Sequence, residues 1–340
     1  MLGQTGLVDR ALFKPDSLPR TATLSIALVP PIVAGLLLFR LAAAEMLVLA
    51  LAVGAIAHLS ARLIRQPLQI SPVIPAVVGV GLVGPAASPA WALGVAAAAS
   101  ALELARMRVL PGFRVHTGLL AYSALYLLGG GGMALYYRPS AALRQLFPEP
   151  IALWQSASFG AATTPLDPVT LYVGNVAGPV FATSLLAVVI GAAWLWYSRH
   201  LSLGAVVTVL LGACIPVALL GWNYGYHMDS GPLWFAIAYG FADRRLLPRG
   251  AGARTLLGFA AGVVVIAVRA RGYGIESVPI SIAGLQLAVG LVEAVGWLAS
   301  ERDLVRRRSR LLRERAAQIR FVNPLQRGAS SSERPETHSA

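Results

Sequence analysis

The chain has 340 residues, of which 56% are hydrophobic and only 13% charged, and its mean hydropathy is +0.67. A soluble domain carries about 25% charge, so a single soluble domain is excluded, as is disorder over the body of the chain. The formal charge of +13 comes almost wholly from arginine, with lysine only at Lys14. Its placement along the chain argues for a membrane topology rather than for nucleic acid. A single cysteine, Cys214, excludes a disulfide framework, a cysteine-based zinc site and an intrachain iron–sulfur cluster.

Residues 1–20 are mixed and polar, with Arg10, Lys14 and Arg20, and lack the apolar stretch of a signal peptide. Apolar stretches then recur at roughly 22–40, 43–61, 70–84, 90–105, 117–136, 171–197, 201–220, 232–243, 255–268 and 279–298. The stretch 70–84 contains Pro72 and Pro75, and 232–243 and 255–268 are short. These three read as broken or tilted helices held inside a bundle, where irregular backbone is tolerated. The fold class expected is therefore all-α, a polytopic helix bundle with about ten transmembrane segments. No internal repeat is evident in the sequence.

Arginine placement sets the orientation. One set of connections carries Arg62 and Arg65, then Arg106, Arg108 and Arg114, then Arg199, then Arg244, Arg245, Arg249 and Arg254. The alternate set carries only Arg40, Arg138, Arg144, Arg269 and Arg271. Ten arginines follow residue 301. Both termini are thus expected in the cytoplasm of a bacterium, with the chain in its inner membrane. Residues 1–20 form a cytoplasmic segment, 21–300 a transmembrane domain with an outer loop at 137–170, and 301–340 a basic cytoplasmic tail. Leu304, Leu311, Leu312 and Ile319 recur at helical spacing among the arginines, which suits an anionic lipid surface. The polar end after Gly328 has nothing to bury.

Several motifs have plain structural readings. Gly79 to Gly84 matches G-x-G-x-x-G, but it ends a membrane segment, where small residues serve close helix packing rather than a dinucleotide. The histidines show no metal-ligand spacing, so no metal site is expected. Few ionisable groups lie in or near the spans: Arg40, Glu45, Glu103, Asp243, Glu276 and Glu293. Glu103 has Arg106 on its own helix face, and Glu293 is the deepest and the leading candidate for a proton or cation relay. The run Gly129 to Gly132 interrupts a span and points to close backbone approach or local unwinding.

Three stretches together resemble the RnfD/NqrB family of membrane electron-transport subunits. Gly174-Asn175-Val176-Ala177-Gly178-Pro179 through Thr183-Ser184 is similar to the family's G-x-x-x-G-S-x-G-E-T-S, with Phe181 and Ala182 in place of Gly and Glu. Gly231-Pro232 through Ala242-Asp243, followed by Gly252 to Gly258, resembles its short span and G-R-x-x-x-G helix start. Arg269 to Gly274 and Glu276 resemble its R-x-x-G-x-x-x-E-G bend. In the outer loop, Thr163-Thr164-Pro165-Leu166 is similar to S-G-A-T-P-L, whose threonine carries FMN through a phosphoester.

The resemblance implies FMN at the outer loop, with Thr164 as its anchor and Thr163 as the neighbouring alternative. Gly174, Asn175 and Gly178 fall in the cofactor-binding motif. A second, non-covalent flavin and partnership with other membrane electron-transport subunits are implied too, without nucleic acid. Arg138 and Arg144 are placed to neutralise a phosphate, and Trp154 and Phe159 to stack on an isoalloxazine. Gln155, Ser156 and Ser158 stand where the family has an acidic residue upstream of the threonine. This leaves open a member that holds its flavin without the covalent bond, or has lost it. A small-molecule permease or export component without redox chemistry is the alternative from another class.

Overall fold

The computed structural model describes residues 18–110, 112–140, 145–158 and 167–296. Most of the described backbone is helical, and the described residues contain no strand beyond the single bridges Tyr137–Leu146 and Leu201–Asp243. Residues up to Val289 form one compact unit. A second unit begins at Gly290, and of it residues 290–296 are described.

Each of the ten apolar stretches contains helix. The continuous ones are α1 (Arg20–Phe39), α2 (Leu41–Leu63), α4 (Pro89–Val109), α5 (Thr117–Gly129), α9 (Leu203–Leu219), α12 (Ala251–Arg269) and α13 (Ser277–Gly296). Five of these, α1, α2, α4, α12 and α13, are long and apolar enough to cross a membrane alone. The stretch 70–84 is broken, though not at its prolines, which stand at the start of the helix: α3 (Val73–Val80) stops short and residues 81–88 continue without helix. The stretch 232–243 is α11 (Gly231–Ala236) followed by a wide π turn at Ile237–Phe241.

Two expectations are corrected. The stretch 171–197 is not one helix: α7 (Pro168–Val173) and α8 (Leu185–Tyr197) flank a non-helical segment, 174–184. The break begins at Gly174, which closes α7 in the left-handed region at φ 90°. It ends at Ser184, whose hydroxyl caps α8 by accepting from Ala187 N at 3.4 Å. The stretch 255–268 is not broken: it lies in α12, a continuous helix long enough to cross a membrane. The stretch 117–136 unwinds where its glycine run indicated, ending its helix at Gly129 and tightening into a 3-10 turn, Gly130–Met133; the Trp91 indole fills the space that side chains at Gly129 and Gly132 would take.

The non-helical segments satisfy one another. Val180 N donates to Val83 O and Phe181 N to Gly81 O, both at 3.0 Å. Gly84 N donates to Met133 O at 2.9 Å and Ala86 N to Leu135 O at 3.1 Å. In hydrocarbon such backbone has no water to turn to, so this pairing is what permits the breaks. The G-x-G-x-x-G stretch is part of it, because a side chain at Gly84 would run into Leu135 O and one at Gly79 into Gly118 O. Pro31 likewise leaves the Ala27 carbonyl of α1 without its helical donor. The Tyr239 hydroxyl, carried by the π turn, donates to it at 2.7 Å.

The breaks fall in corresponding places. In the first half α2 packs on α4 beside the broken span at α3, and in the second α9 packs on α12 beside the broken span at α11. Leu37, Leu63, Leu128 and Leu219 are 74%, 85%, 85% and 82% exposed, which suits a surface that meets lipid.

Gly84→Val is expected to destabilise the protein by about 1–3 kcal/mol through the forced backbone shift, read as a lower thermal midpoint in detergent. Gly252→Ala, where nothing stands within 4 Å, is the control and should be neutral or slightly stabilising. Equal midpoints for the two variants would contradict the close packing at Gly84.

Candidate functional site

Polar side chains collect at the two ends of the bundle. At the arginine-rich end, Arg106 binds Glu103 through Nη2 at 2.6 Å and Nε at 3.2 Å, and the Thr117 hydroxyl donates to Glu103 Oε2 at 2.9 Å. The expected pairing of Glu103 with Arg106 therefore holds. Arg20 pairs with Asp243, and Arg245 bonds Gln69 Oε1 at 2.9 Å. Gln286 accepts from His116 N at 3.0 Å and donates to Gly240 O at 2.8 Å. A cavity of about 20 Å³ lies among these groups, room for water and little more.

The opposite end carries the loop between α5 and α8, and it is built differently. A cavity of about 450 Å³ opens there. Tyr126, Tyr136, Phe147, Glu149, Gln155 and Glu276 are among its lining residues. Glu149 precedes α6 (Pro150–Ser158) and caps it, accepting from Ile151 N at 2.6 Å and Ala152 N at 3.0 Å. Glu276 precedes α13 and accepts from the Tyr136 hydroxyl at 2.8 Å. Gly274 sits between them: a side chain there would meet Glu149 Oε1 and, at 3.2 Å, Glu276 Oε2. Both carboxyls are 5% exposed.

Arg269, the last residue of α12, stands behind the pair and is 0% exposed. Its Nε donates to Ser277 Oγ at 3.0 Å and its Nη1 to His227 O at 2.9 Å, while Nη2 has no hydrogen-bond partner. His227 lies in α10 (Tyr224–Met228) with its ring stacked on Trp222 at 4.8 Å and met edge-on by Trp154 at 4.7 Å. Gln155 ties the same region together, donating to Arg269 O at 3.4 Å.

Burial, and secondly the Glu276 charge, push the Glu149 carboxyl up to about 8. Burial raises Glu276 as well. The Tyr136 phenol is pushed well above its ordinary value by burial and by Glu276. Burial, and then the Arg269 charge, lower His227 to about 3, so its ring is neutral.

The residues singled out in the sequence are distributed unevenly over this site. Thr163 and Thr164 lie outside the described residues, as do Arg144, Phe159 and the tail from 301 on. Gly174 and Gly178 are buried and Asn175 is half-buried in the crossing segment. Gly178 lines a cavity of only about 10 Å³ beside Thr183 and Gly231. These glycines therefore serve backbone approach. Arg138 remains near the loop, with its Nε buried and lacking a hydrogen-bond partner. Trp154 packs against His227 and Trp222. Glu293 is exposed, as are Leu291, Val292, Val295 and Gly296 around it.

Glu149 and His227 were missed. Neither lies in a recognisable motif, since one caps a short loop helix and the other sits in a turn between spans. The one available signal was the helix start Glu149-Pro150, an acidic residue before a first-turn proline.

Stability should carry the mark of the raised carboxyl. Between pH 4.5 and about 8 the folded protein holds a proton at Glu149 that the unfolded chain releases, so stability falls as pH rises through that window. His227 works the other way, but only from about 3 to 6.5. From pH 6.5 to 8 the wild-type protein should lose roughly 1 kcal/mol per pH unit. Glu149→Gln should lose clearly less over the same range, as read from thermal midpoints in detergent.

The family model described as the NQR2, RnfD, RnfE family matches residues 16–295. The match takes in most of the chain, and the protein belongs to that family. It is an integral membrane subunit of the Rnf/Nqr type of electron-transport complex. No curated protein matches the sequence.

Proposed function

We propose that the protein passes electrons through an FMN held at the loop end of the bundle, on the outer face of a bacterial inner membrane, with both termini in the cytoplasm. The observation that carries this reading is the cavity of about 450 Å³ at the end that bears the loop. Pockets for cofactors of this size fall in the range of roughly 300–1,000 Å³ and combine aromatic walls with a few fixed polar groups. Tyr126, Tyr136 and Phe147 supply the aromatic surface and Gln155 an amide. Arg138 follows the lining residue Tyr136 by two positions without itself lining the cavity, and its buried Nε lacks a partner, which suits a phosphate at the cavity's edge. Helix α6 brings Ala152 and Gln155 to the cavity and ends at Ser158, shortly ahead of Thr163 and Thr164 in the chain.

When bound, FMN supplies one- and two-electron transfer that no side chain here provides. The protein's own contribution is position and electrostatics. Tyr136 is held by Glu276, and Gln155 by the end of α12, so the wall of the cavity is fixed before any ligand arrives. Coupling of electron transfer to cation movement belongs to the same proposal, and membrane partners of the complex are the donor and acceptor.

Purified protein co-expressed with a flavin transferase should absorb near 450 nm, and its denatured band should fluoresce under ultraviolet light. Thr164→Val should abolish the gel signal and Thr163→Val should leave it, because Thr164 directly precedes Pro165-Leu166. A band that stays bright in Thr164→Val would overturn the anchor. Reporters fused at Ser140 and at Ala340 should report opposite sides of the membrane.

A further inference from the structure

We propose that Glu149 and Glu276 form a carboxyl–carboxylate pair that holds one exchangeable proton in the wall of the outer cavity. The two side chains come from different elements, the loop before α6 and the turn before α13, and converge on Gly274, which has no side chain to keep them apart. Their remaining lone pairs are only partly occupied: Glu149 takes two backbone N–H groups and Glu276 the Tyr136 hydroxyl. Two buried carboxylates this close do not both ionise, and sharing a proton is the low-energy arrangement.

Arg269 fixes the count at one. Its guanidinium is within Coulombic reach of both carboxyls, yet the direct ion pairs among the described residues are Arg20–Asp243 and Arg106–Glu103. Its Nη2 is buried and without a hydrogen-bond partner. The group of Glu149, Glu276 and Arg269 is neutral with a single proton bound and singly negative without it. The other titratable groups facing the pair are the phenols Tyr122, Tyr126 and Tyr136, with Tyr273 against Tyr126 and His227 behind Arg269; burial pushes the Tyr136 phenol well above its ordinary value and lowers His227 to about 3. Burial and the neighbouring charge raise Glu149 to about 8, so the proton is held at neutral pH and released into the cavity above it. The pair opens to the cavity through Glu149 and Glu276 themselves, both of which line it. Its use as the proton partner of a redox group seated there rests on the proposed function, whereas the pair does not.

The test uses the full-length, flavin-free protein in nanodiscs, by infrared difference spectroscopy of the protonated-carboxyl stretch during pH titration. The wild type should show a band that disappears with a midpoint near 8. Glu149→Gln and Glu276→Gln each leave one carboxyl beside Arg269, and the surviving midpoint should fall by about one unit or more. Gly274→Ala, which keeps both carboxyls but forces them apart, should lower it too. A wild type with no band titrating between pH 6 and 9 would overturn the proposal. So would a midpoint unmoved in all three variants, which would mean burial without sharing. Displacement of the band by sodium or potassium at constant pH would assign the site to a metal cation instead and also overturn it. None of these readings depends on flavin, so a dark gel band and a failed titration are separate results.

Discussion

Hydrogen bonding between non-helical backbone at mid-depth is the constraint on which the rest of this structure depends. A helix that stops inside hydrocarbon exposes N–H and C=O groups at a cost of several kcal/mol each. Here residues 81–83 and 180–181 of two broken spans bond each other, and 84–86 bond 133–135. Glycine at Gly84, Gly118 and Gly231 is needed because each stands against a carbonyl of another segment. Once these segments are joined, the continuous helices have a fixed frame to pack on. The π turn that places Tyr239 against the Ala27 carbonyl belongs to the same frame.

The two ends of the bundle carry comparable polar devices, and the difference between them is instructive. Near the end of α4, Arg106 lies close to Thr117, the first residue of α5; at the end of α12, Arg269 bonds Ser277, the first residue of α13. In the first half the arginine has a carboxylate of its own in Glu103, bonded through two nitrogens, and the cavity beside it is about 20 Å³. In the second half Arg269 faces two carboxyls and bonds neither, and the neighbouring cavity is about 450 Å³. A matched, closely bonded pair stiffens one end. The unmatched group leaves charge and space to be used at the other.

Much of the bundle was legible because lipid imposes a simple pattern: long apolar stretches, and arginine on alternate connections. The stretch 70–84 is broken as expected, though at residue 81 and not at Pro72 or Pro75, which sit at the start of α3, and Glu103–Arg106 followed from helical spacing alone. The break at 174–184 was hidden, since Val176, Ala177, Val180, Phe181 and Ala182 are as apolar as a helix would be. Only Gly174, Gly178 and Pro179 hinted at it. Glu293 looked deep by its place in an apolar run, yet the described end of α13 around it is exposed on nearly every side. The carboxyl pair was beyond reach for a related reason. Glu149 and Glu276 are far apart in sequence, and what joins them is the folding of the loop onto the turn after α12.

That arrangement accounts for why the usable site forms at the loop end. Membrane spans are costly places to keep unpaired charge, so a cavity with titratable walls is best built where spans end and connections begin. The turn from Arg269 to Glu276 is short and holds Gly272 at φ 93° and Gly274, so it brings an arginine and a glutamate to one spot without a bulky connection. The loop then contributes what the turn cannot, a second carboxyl at Glu149 and the aromatic wall at Tyr136 and Phe147. Because α6 is capped by Glu149 itself, ionisation of the pair and the seating of the loop draw on the same carboxyl. A change of charge in the cavity is therefore felt directly by the element that leads into Thr163 and Thr164.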